Sequence, residues 1–540
     1  MRSIALLLLA IWFCIGTPFP ARSEALPAIA PPSTAPVQSV DAASLSSMSS
    51  VHVTKFSFTG NTVVSSTELE TATRSYLNRE LPYEELERLR QMLSKLYIDR
   101  GYVNSGVIIP DQVVSDGVVS MTVVEGTLDR IDIEGVKHFR PGYIAARLDA
   151  SAAKPVNLNR LQEALQFLQQ DSRIKRIHAD FKPGALLGEA IMKVAIEENS
   201  PYLASLSFSN HASPSTGSYR GELNLAHQNL IGMGDILSAG FGLTDGTREY
   251  SATYAIPLNS RDSLLELYFR LGDSTVTESL FKGLDIRSES DSYGLRVRQP
   301  LFKTLSKEFS LSLAAETKRS TTYLLGRPFA FSAGSEDGAN RETVLRFSQD
   351  WLERSESTVF AVHSSFSLGI DALGSSIRDA GADGRFFAWL GQLLLIKRLG
   401  VMPGQILFRT DMQWTADQLL SLEKYSLGGM GSVRGYRKDV LVRDNGVNSS
   451  LELRIPLLSP EAGYGSLQAV PFFDFGWASN NKSDAGGAKS IYSIGAGLKW
   501  ELAKRVNLDI FYGYGLTSVG ERGNDLQDQG FHFQLTTQIF

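Results

Sequence analysis

The chain has 540 residues, 43% of them hydrophobic, which at about 150 residues per domain predicts roughly three to four domains, each able to bury a core. It carries 53 basic and 58 acidic residues, so its net charge of -5 supplies no general positive field for a phosphate backbone. Beyond residue 20 no apolar run reaches the roughly 18 residues of a spanning helix, and the mean hydropathy is -0.08. These values exclude a helical membrane bundle and argue against nucleic-acid binding, but they leave a β-barrel open, because barrel strands show only alternating hydrophobicity.

Residues 1–23 have the pattern of a secretory signal peptide. Arg2 precedes the apolar run from Ile4 to Ile15, and prolines and small residues follow it. An anchor helix is the alternative, but the run is short for one and helix-breaking prolines come directly after it. The single cysteine, Cys14, lies in this segment, so the mature chain is expected to be exported without a thiol, a disulfide or a cysteine metal site.

Residues 24–50 form a tract rich in Pro, Ala and Ser with almost no charge. Such a composition cannot build a packed core, so the tract is predicted to be a linker that is long enough to tether or to thread.

Two successive units, residues 51–126 and 127–199, share one predicted order of elements, β-α-α-β-β, over about 75 residues each, which indicates an internal repeat. For the first unit, periodicity predicts strands and helices at Val53 to Phe58, Ser66 to Asn78, Tyr83 to Leu96, Tyr102 to Ile109 and Val118 to Val124. For the second it predicts them at Leu128 to Ile133, Tyr143 to Leu148, Leu158 to Leu168, Ile174 to Phe181 and Ala190 to Ile196.

Residues 200–540 contain about sixteen segments of roughly 10 residues with alternating apolarity, separated by clusters of Gly, Asn, Asp and Ser. From Val506 to Tyr514, for example, apolar and polar or small residues alternate. A soluble β-sandwich gives the same alternation with its apolar face inward. The predicted export and the absence of cysteine favour a closed barrel in lipid, where no strand edge stays unpaired.

A long segment, residues 416–445, separates the eleventh and twelfth predicted strands and contains the run Gly428 to Tyr436. The run is no dinucleotide fingerprint, because Arg434 stands where the third glycine belongs and no βαβ unit surrounds it. A plain glycine-rich surface loop is the simplest interpretation. Against it, the flanking glycines allow Arg434 to be presented at a hairpin tip, and the parity of the later strand places Asp474 on the polar, lumenal face. A buried carboxylate needs a partner, and Arg434 is the natural one.

The run Val433-Arg434-Gly435-Tyr436, the strand Phe472-x-Asp474-x-Gly476, the paired units and the strand count together resemble the TpsB family, the outer-membrane transporters of two-partner secretion that export hemolysins and adhesins. The resemblance spans essentially the whole chain. It implies two periplasmic α+β POTRA domains followed by a 16-stranded antiparallel transmembrane β-barrel in the cell outer membrane. It also implies that the long loop folds into the barrel, where Arg434 pairs with Asp474.

The resemblance further implies a function. The POTRA domains would capture an unfolded, large, TpsA-like exported protein, and the barrel would pass it to the cell surface or the medium. Outer-membrane lipid and the barrel assembly machinery would be further partners. A plug helix in residues 24–50 is also implied, although the prolines there disfavour one.

Two rival functions share parts of this pattern. An insertase of the BamA or TamA kind also has the loop arginine and the barrel aspartate, but it usually carries three or more POTRA units, and only two fit between residues 51 and 199. A passive porin or receptor gives no reason for the paired units or for the loop motif. Neither rival accounts for the whole chain as well as a transporter does.

Motifs of catalysis are not found, so no enzyme activity, cofactor, metal or nucleic-acid partner is expected. The run Gly486-Gly487-Ala488-Lys489-Ser490 lacks the glycine that a P-loop needs before its lysine. The seven histidines are dispersed without ligand spacing, at His52, His138, His178, His211, His227, His363 and His532.

Overall fold

The computed structural model describes residues 44–45, 48–279, 281–331, 337–379, 381–400, 403–459, 463–481, 489–503, 505–520 and 523–540. The predicted signal peptide, most of the predicted linker and residues 486–488 of the P-loop-like run lie outside these residues. In the described part of the chain, no helix combines the length and apolarity needed to cross a membrane.

The first α/β unit is a three-stranded sheet covered by two helices. Its elements are β1 (Ser50–Val53), β2 (Lys55–Thr59), α1 (Ser66–Thr73), β3 (Arg79–Pro82), α2 (Tyr83–Asp99), β4 (Gly106–Ile108) and β5 (Val118–Val124). In the order β2-β5-β4, β2 runs parallel to β5 and β4 antiparallel to it. Helix α2 buries Leu86, Leu89, Leu93 and Tyr97 at helical spacing, and this stripe packs on the sheet.

The first unit differs from the sequence prediction in three places. Helix α1 ends at Thr73 instead of Asn78, because a 3-10 turn follows and Asn78 has a positive φ of 58°. The strand predicted from Tyr102 is shortened to β4, because residues 101–105 form turns whose amides bond back to α2 and Tyr102. Strands β1 and β3 pair with each other as an extra two-stranded sheet that the prediction lacked.

The second unit repeats this arrangement with the predicted order of elements. It consists of β6 (Thr127–Glu134), α3 (Pro141–Asp149), α4 (Leu158–Gln169), β7 (Ile174–Pro183) and β8 (Glu189–Glu198). Its sheet has the order β6-β8-β7, with β6 parallel and β7 antiparallel to β8. In both units the strand before the first helix, β2 or β6, therefore pairs with the last strand, β5 or β8.

The two units also share a close backbone contact at the glycine that follows β2 or β6. Gly60 and Gly135 both have φ 83°, and in each a Cβ would lie 2.4 Å from a carbonyl oxygen of the last strand. A glutamate at the end of that last strand, Glu125 or Glu198, accepts hydrogen bonds from the backbone N–H groups that follow the glycine. Only glycine fits this close approach, so the internal repeat extends to individual contacts.

Residues 202–538 form a closed antiparallel barrel of sixteen long strands, in which the last strand pairs with the first. The strands are β9 (Tyr202–Ser209), β10 (Arg220–Gln228), β11 (Ile236–Leu243), β12 (Thr247–Pro257), β13 (Leu264–Thr275), β14 (Arg287–Lys303), β15 (Lys307–Leu324), β17 (Ala339–Arg354), β18 (Thr358–Ile370), β19 (Phe387–Arg398), β20 (Gln405–Thr415), β23 (Asn445–Leu458), β24 (Ser466–Ser479), β25 (Lys489–Ala503), β26 (Val506–Gly515) and β27 (Phe531–Gln538). A two-residue strand, β16 (Arg327–Pro328), pairs antiparallel with the end of β15, and two short strands inside a loop are β21 (Tyr425–Leu427) and β22 (Leu441–Arg443).

Side chains alternate between the two faces of the barrel wall, as the sequence pattern predicts. On β26, Ile510 and Tyr512 are exposed on the outer face, whereas Phe511 between them is buried on the inner face. On β24, Phe473 points outward and is 43% exposed, while Phe472 and Asp474 are buried inside. The apolar face is therefore outside, which distinguishes this sheet from a sandwich.

The second α/β unit is attached to the barrel end at which β9 begins. The guanidinium of Arg147 on α3 pairs with Asp262 in the turn after β12 at 2.9 Å. Arg173 donates to the carbonyl oxygen of Gly234 in the turn after β10 at 2.5 Å. These two contacts place the unit beneath the barrel opening.

Candidate functional site in the barrel lumen

The loop between β20 and β23 carries the candidate site. It comprises residues 416–444, because Asn445 is already the first residue of β23. Within it β21 and β22 pair as a small antiparallel hairpin, with Leu427 opposite Leu441. The run Val433 to Tyr436 consequently lies in the tip of this hairpin.

Arg434 and Asp474 meet inside the barrel wall. The Nη2 and Nε atoms of Arg434 donate to Oδ1 and Oδ2 of Asp474 at 2.7 Å and 2.8 Å. The backbone N–H of Arg434 also donates to Oδ2, at 3.0 Å. Arg434 is 1% exposed and Asp474 is 0% exposed. The contact is therefore a dry, two-point ion pair with a third bond from the main chain.

Strand β23 completes the arginine site. Nη1 of Arg434 donates to Oε1 of Glu452 at 2.8 Å, and Nη2 donates to Oγ of Ser450 at 2.8 Å. The guanidinium also lies 3.6 Å from the ring centre of Phe472, a cation–π contact. Sequence alone does not identify Ser450 and Glu452 as partners of Arg434, because that requires the pairing of β23 with β24.

The buried charges of this site balance. Glu452 accepts from Arg434 through Oε1 and from Arg454 through Oε2, the latter at 3.0 Å. Two arginines thus face two carboxylates. Because isolated charges are costly in a buried site and paired ones are tolerated, removal of a single member leaves its partner's charge unpaired and should destabilise the barrel.

Gly435 allows the hairpin tip to touch the wall. Its φ is 86°, and a Cβ there would lie 2.7 Å from the carbonyl carbon and oxygen of Gly513 on β26. Gly476 on β24 likewise leaves room for Val433, the residue before Arg434. A Cβ at position 476 would lie 2.8 Å from Cγ2 of Val433, which is fully buried. Glycines on the loop and on the wall therefore permit one close-fitting contact.

Tyr436 fixes the other side of the tip. Its hydroxyl donates to the carbonyl oxygen of Tyr492 on β25 at 2.8 Å and accepts from the backbone N–H of Thr517 at 3.0 Å. Gly515 leaves room for the ring, since a Cβ there would lie 2.9 Å from Cζ of Tyr436. The seven predicted site residues therefore lie in one continuous contact between the loop and strands β24 to β26.

A further arginine holds the loop at the opposite end of the barrel from the α/β units. Nε of Arg437 donates to Oδ1 of Asp528 at 2.8 Å, and its Nη1 lies 3.3 Å from Glu278. Both carboxylates belong to loops that connect barrel strands. No sequence pattern predicts this contact, because it depends on three loops meeting in space.

Two of the histidines that are dispersed in the sequence meet at the barrel closure. His211 follows β9 and His532 lies on β27, and their ring centres are 6.3 Å apart. Nε2 of His532 accepts from the backbone N–H of Gly435 at 3.3 Å. Across the described ranges, no three His, Cys, Asp or Glu side chains are grouped to hold a metal ion.

Comparison with known proteins identifies the family. The sequence profile described as haemolysin secretion/activation protein ShlB/FhaC/HecB matches residues 188–500, and that of the ShlB-type POTRA domain matches residues 51–126. The chain belongs to the ShlB/FhaC/HecB family. It is an outer-membrane transporter of two-partner secretion, with its barrel in the outer membrane and its POTRA region in the periplasm, as the sequence analysis predicted.

Named relatives cover most of the chain. The outer membrane transporter CdiB of Dickeya dadantii (strain 3937) is 22% identical over 470 residues, 82% of this chain and 78% of the relative. The hemolysin transporter protein ShlB of Serratia marcescens is 24% identical over 463 residues, 80% and 77% of the two chains. The solved structure of CdiB from Escherichia coli superposes with a TM-score of 0.68 at 20% identity over 94% of this chain and 93% of that one. At that identity, the structural likeness establishes the fold.

Proposed function

We propose that this transporter captures one unfolded exported protein in the periplasm and passes it through its barrel to the cell surface or the medium. The observation that carries the proposal is the dry ion pair between Arg434 and Asp474, which holds a 29-residue loop inside the barrel. A loop fixed at this depth obstructs the lumen. It therefore supplies a plug or brace that has to rearrange for a chain to pass.

The proposed client is a large TpsA-like protein of the hemolysin or adhesin type. The support is the family, together with the role of the relative ShlB as a hemolysin transporter protein. Outer-membrane lipid around the barrel, and the barrel assembly machinery during its own insertion, are the other partners that we propose.

We take the two α/β units as two POTRA domains, residues 51–126 and 127–199. We propose that the second of them captures the client. In the sheet order β6-β8-β7, strand β7 is an outer strand of ten residues, whereas β4 in the first unit has three. An extended peptide can add to such an edge through main-chain hydrogen bonds with little dependence on its sequence. That mode suits an unfolded client.

A side chain already occupies part of this edge. Oε1 of Gln169, at the end of α4, accepts from the backbone N–H of Ile177 at 3.0 Å, and its Nε2 donates to the carbonyl oxygen of Lys175 at 3.3 Å. Gln169 thus bonds to β7 as a neighbouring strand would. A client strand that pairs along the whole of β7 would displace it.

Deletion of the gene tests the proposed function. We expect one large exported protein to disappear from the medium or the cell surface, and the wild-type gene to restore it. Unchanged secretion of every large exported protein would refute the proposal. Depletion of many unrelated barrels from the outer membrane would instead indicate the insertase, because an insertase serves all barrels.

A further inference from the structure

The long loop also contacts a second part of the barrel wall, far from Arg434. Its first arm, residues 416–424, lies against β17 and β19. Leu419 is fully buried there in an apolar cluster with Val344, Phe386 and Ala388. Strand β17 is the eighth barrel strand and β24, which carries Asp474, is the thirteenth, so the loop extends across the lumen between two separate regions of the wall.

Glu423 forms the polar part of this second contact. Its Oε1 accepts from Nζ of Lys318 on β15 at 2.7 Å and from Nη2 of Arg346 on β17 at 2.5 Å. The Glu423 side chain is 8% exposed. One loop carboxylate therefore joins the cations of two neighbouring wall strands.

Two wall carboxylates lie close to the same contact. Glu316 on β15 lies 3.7 Å from Lys318 and 3.4 Å from Arg346. Glu342 is fully buried, and its carboxyl oxygens accept no hydrogen bond from any described residue. Without Glu423, Lys318 and Arg346 would lose the ion pairs that join them to the loop.

Water reaches this second contact more readily than the first. The side chains of Lys318 and Arg346 are 20% and 22% exposed, against 1% for Arg434. Arg346 and Glu423 also line a lumenal cavity of about 590 Å³. Solvent weakens an ion pair, so the contact at Glu423 is the more easily broken of the two.

We propose that Glu423 is a second, releasable anchor that holds the arm of the loop against β15 and β17 and so keeps the lumen narrow. When this contact breaks, the arm separates from β15 and β17 and opens a path along that part of the wall, while the hairpin tip stays fixed at Arg434. The inference rests on the proposed function in one respect, that the loop closes the transport path. It adds that the closure is released at the contact of Glu423 with Lys318 and Arg346.

Ion conductance of the purified full-length protein in planar lipid bilayers tests the anchor without any client. We expect Glu423→Gln to raise the mean conductance or the frequency of open states, because the neutral amide no longer neutralises the two cations. Glu423→Asp keeps the charge and should restore values near the wild type. Heat-dependent mobility in gel electrophoresis shows that each barrel is folded.

Glu266→Gln is the matched control. Glu266 lines the same cavity and pairs with Arg296 at 3.2 Å, but both belong to the wall. We expect it to conduct like the wild type. If Glu423→Gln fails to fold, Arg346→Gln removes the same contact from the wall side and should raise conductance in its place.

The proposed role of Glu423 would be refuted if folded Glu423→Gln conducts like the wild type. An equal rise of conductance in Glu266→Gln would refute it as well. Since no client is present, this result is separate from the proposed function: a deletion strain that secretes normally would refute export and leave the conductance result intact.

Discussion

The carboxylate of Asp474 receives three hydrogen bonds from a single residue, Arg434: two from the guanidinium and one from the backbone N–H. The side-chain bonds fix the charge, and the main-chain bond fixes the position of the loop itself. Because one aspartate orients both, the tip of the loop cannot shift along β24 without breaking all three bonds. The pair therefore sets the register of the loop as well as its charge balance.

Replacement of Arg434 by lysine should destabilise the barrel although the charge is kept. An ammonium group lacks the planar fork that reaches Asp474, Glu452 and Ser450 together. Because the charge is kept but buried acceptors lose their hydrogen bonds, we expect a loss of about 2 kcal/mol in the free energy of unfolding. Denaturant titration of the protein in lipid vesicles measures it, and a wild-type midpoint would contradict it.

A double-mutant cycle of Arg434→Ala and Asp474→Ala should be strongly non-additive. Each single change leaves a buried charge without its main partner, whereas the double change removes both charges. We expect the double variant to lose less unfolding free energy than the two single losses combined. The exchange of the two residues should not restore secretion, because an aspartate at 434 would face Glu452. Additive losses in the cycle would contradict the coupling.

Gly435→Ala should displace the hairpin tip. The added methyl group would meet the backbone of Gly513, and the φ of 86° strains any residue with a Cβ. Gly431→Ala is the matched control in the same tip, because a Cβ there meets nothing within 4 Å. Limited proteolysis of the folded barrels should cut the loop in Gly435→Ala and spare it in Gly431→Ala. Equal protection of the two variants would contradict the close contact.

The edge of β7 offers a test of client capture. Gln169→Ala frees the N–H of Ile177, so we expect tighter binding of a client's N-terminal segment to the full-length transporter. Ile177→Pro removes that outward donor and should weaken binding, while Ile177→Val keeps it and should not. Biolayer interferometry measures the affinities. If proline at 177 binds the segment like valine, capture does not use this edge.

Glu198 should make the second α/β unit sensitive to acid. Burial raises the pKa of Glu198, but hydrogen bonds from the backbone N–H groups of Phe139, His138 and Lys137 outweigh it and leave the pKa lowered. A carboxyl group with a lowered folded pKa stabilises the fold above its unfolded pKa and loses that contribution as pH falls through the folded value.

Hydrogen exchange in the full-length protein measures this contribution. We expect Glu198→Gln to expose the amides of residues 137–139 at neutral pH and to differ less from the wild type as the pH falls. Glu197→Gln is the control, since that neighbouring side chain pairs with Lys175 at the surface. A difference between Glu198→Gln and the wild type that stays constant with pH would contradict the role of the carboxylate charge.

Sequence could predict the features that depend on local periodicity. Alternation of period two determines which face of a strand is apolar, so the inward direction of Asp474 and the outward direction of Phe473 follow from their neighbours. Helix α2 likewise follows from the spacing of its buried leucines. The strand count and the position of the long loop depend only on successive segments and turns.

The features that the sequence does not predict depend on contacts between segments that are distant along the chain. Ser450 and Glu452 reach Arg434 only because β23 pairs with β24 in one register, with Ser450 opposite Asp474. Glu423 lies in a loop without periodicity, and its cations come from strands that are 77 or more positions away. Neither pattern is visible in a single sequence, because register and loop path are set by tertiary packing.

We expect export to require that Arg434 holds the loop in the lumen. Secretion of the client by Arg434→Ala, at matched amounts of folded barrel in the outer membrane, measures this requirement, with Gly431→Ala as the control in the same tip. We expect Gly431→Ala to secrete like the wild type and Arg434→Ala to lose secretion. Full secretion by Arg434→Ala would contradict it.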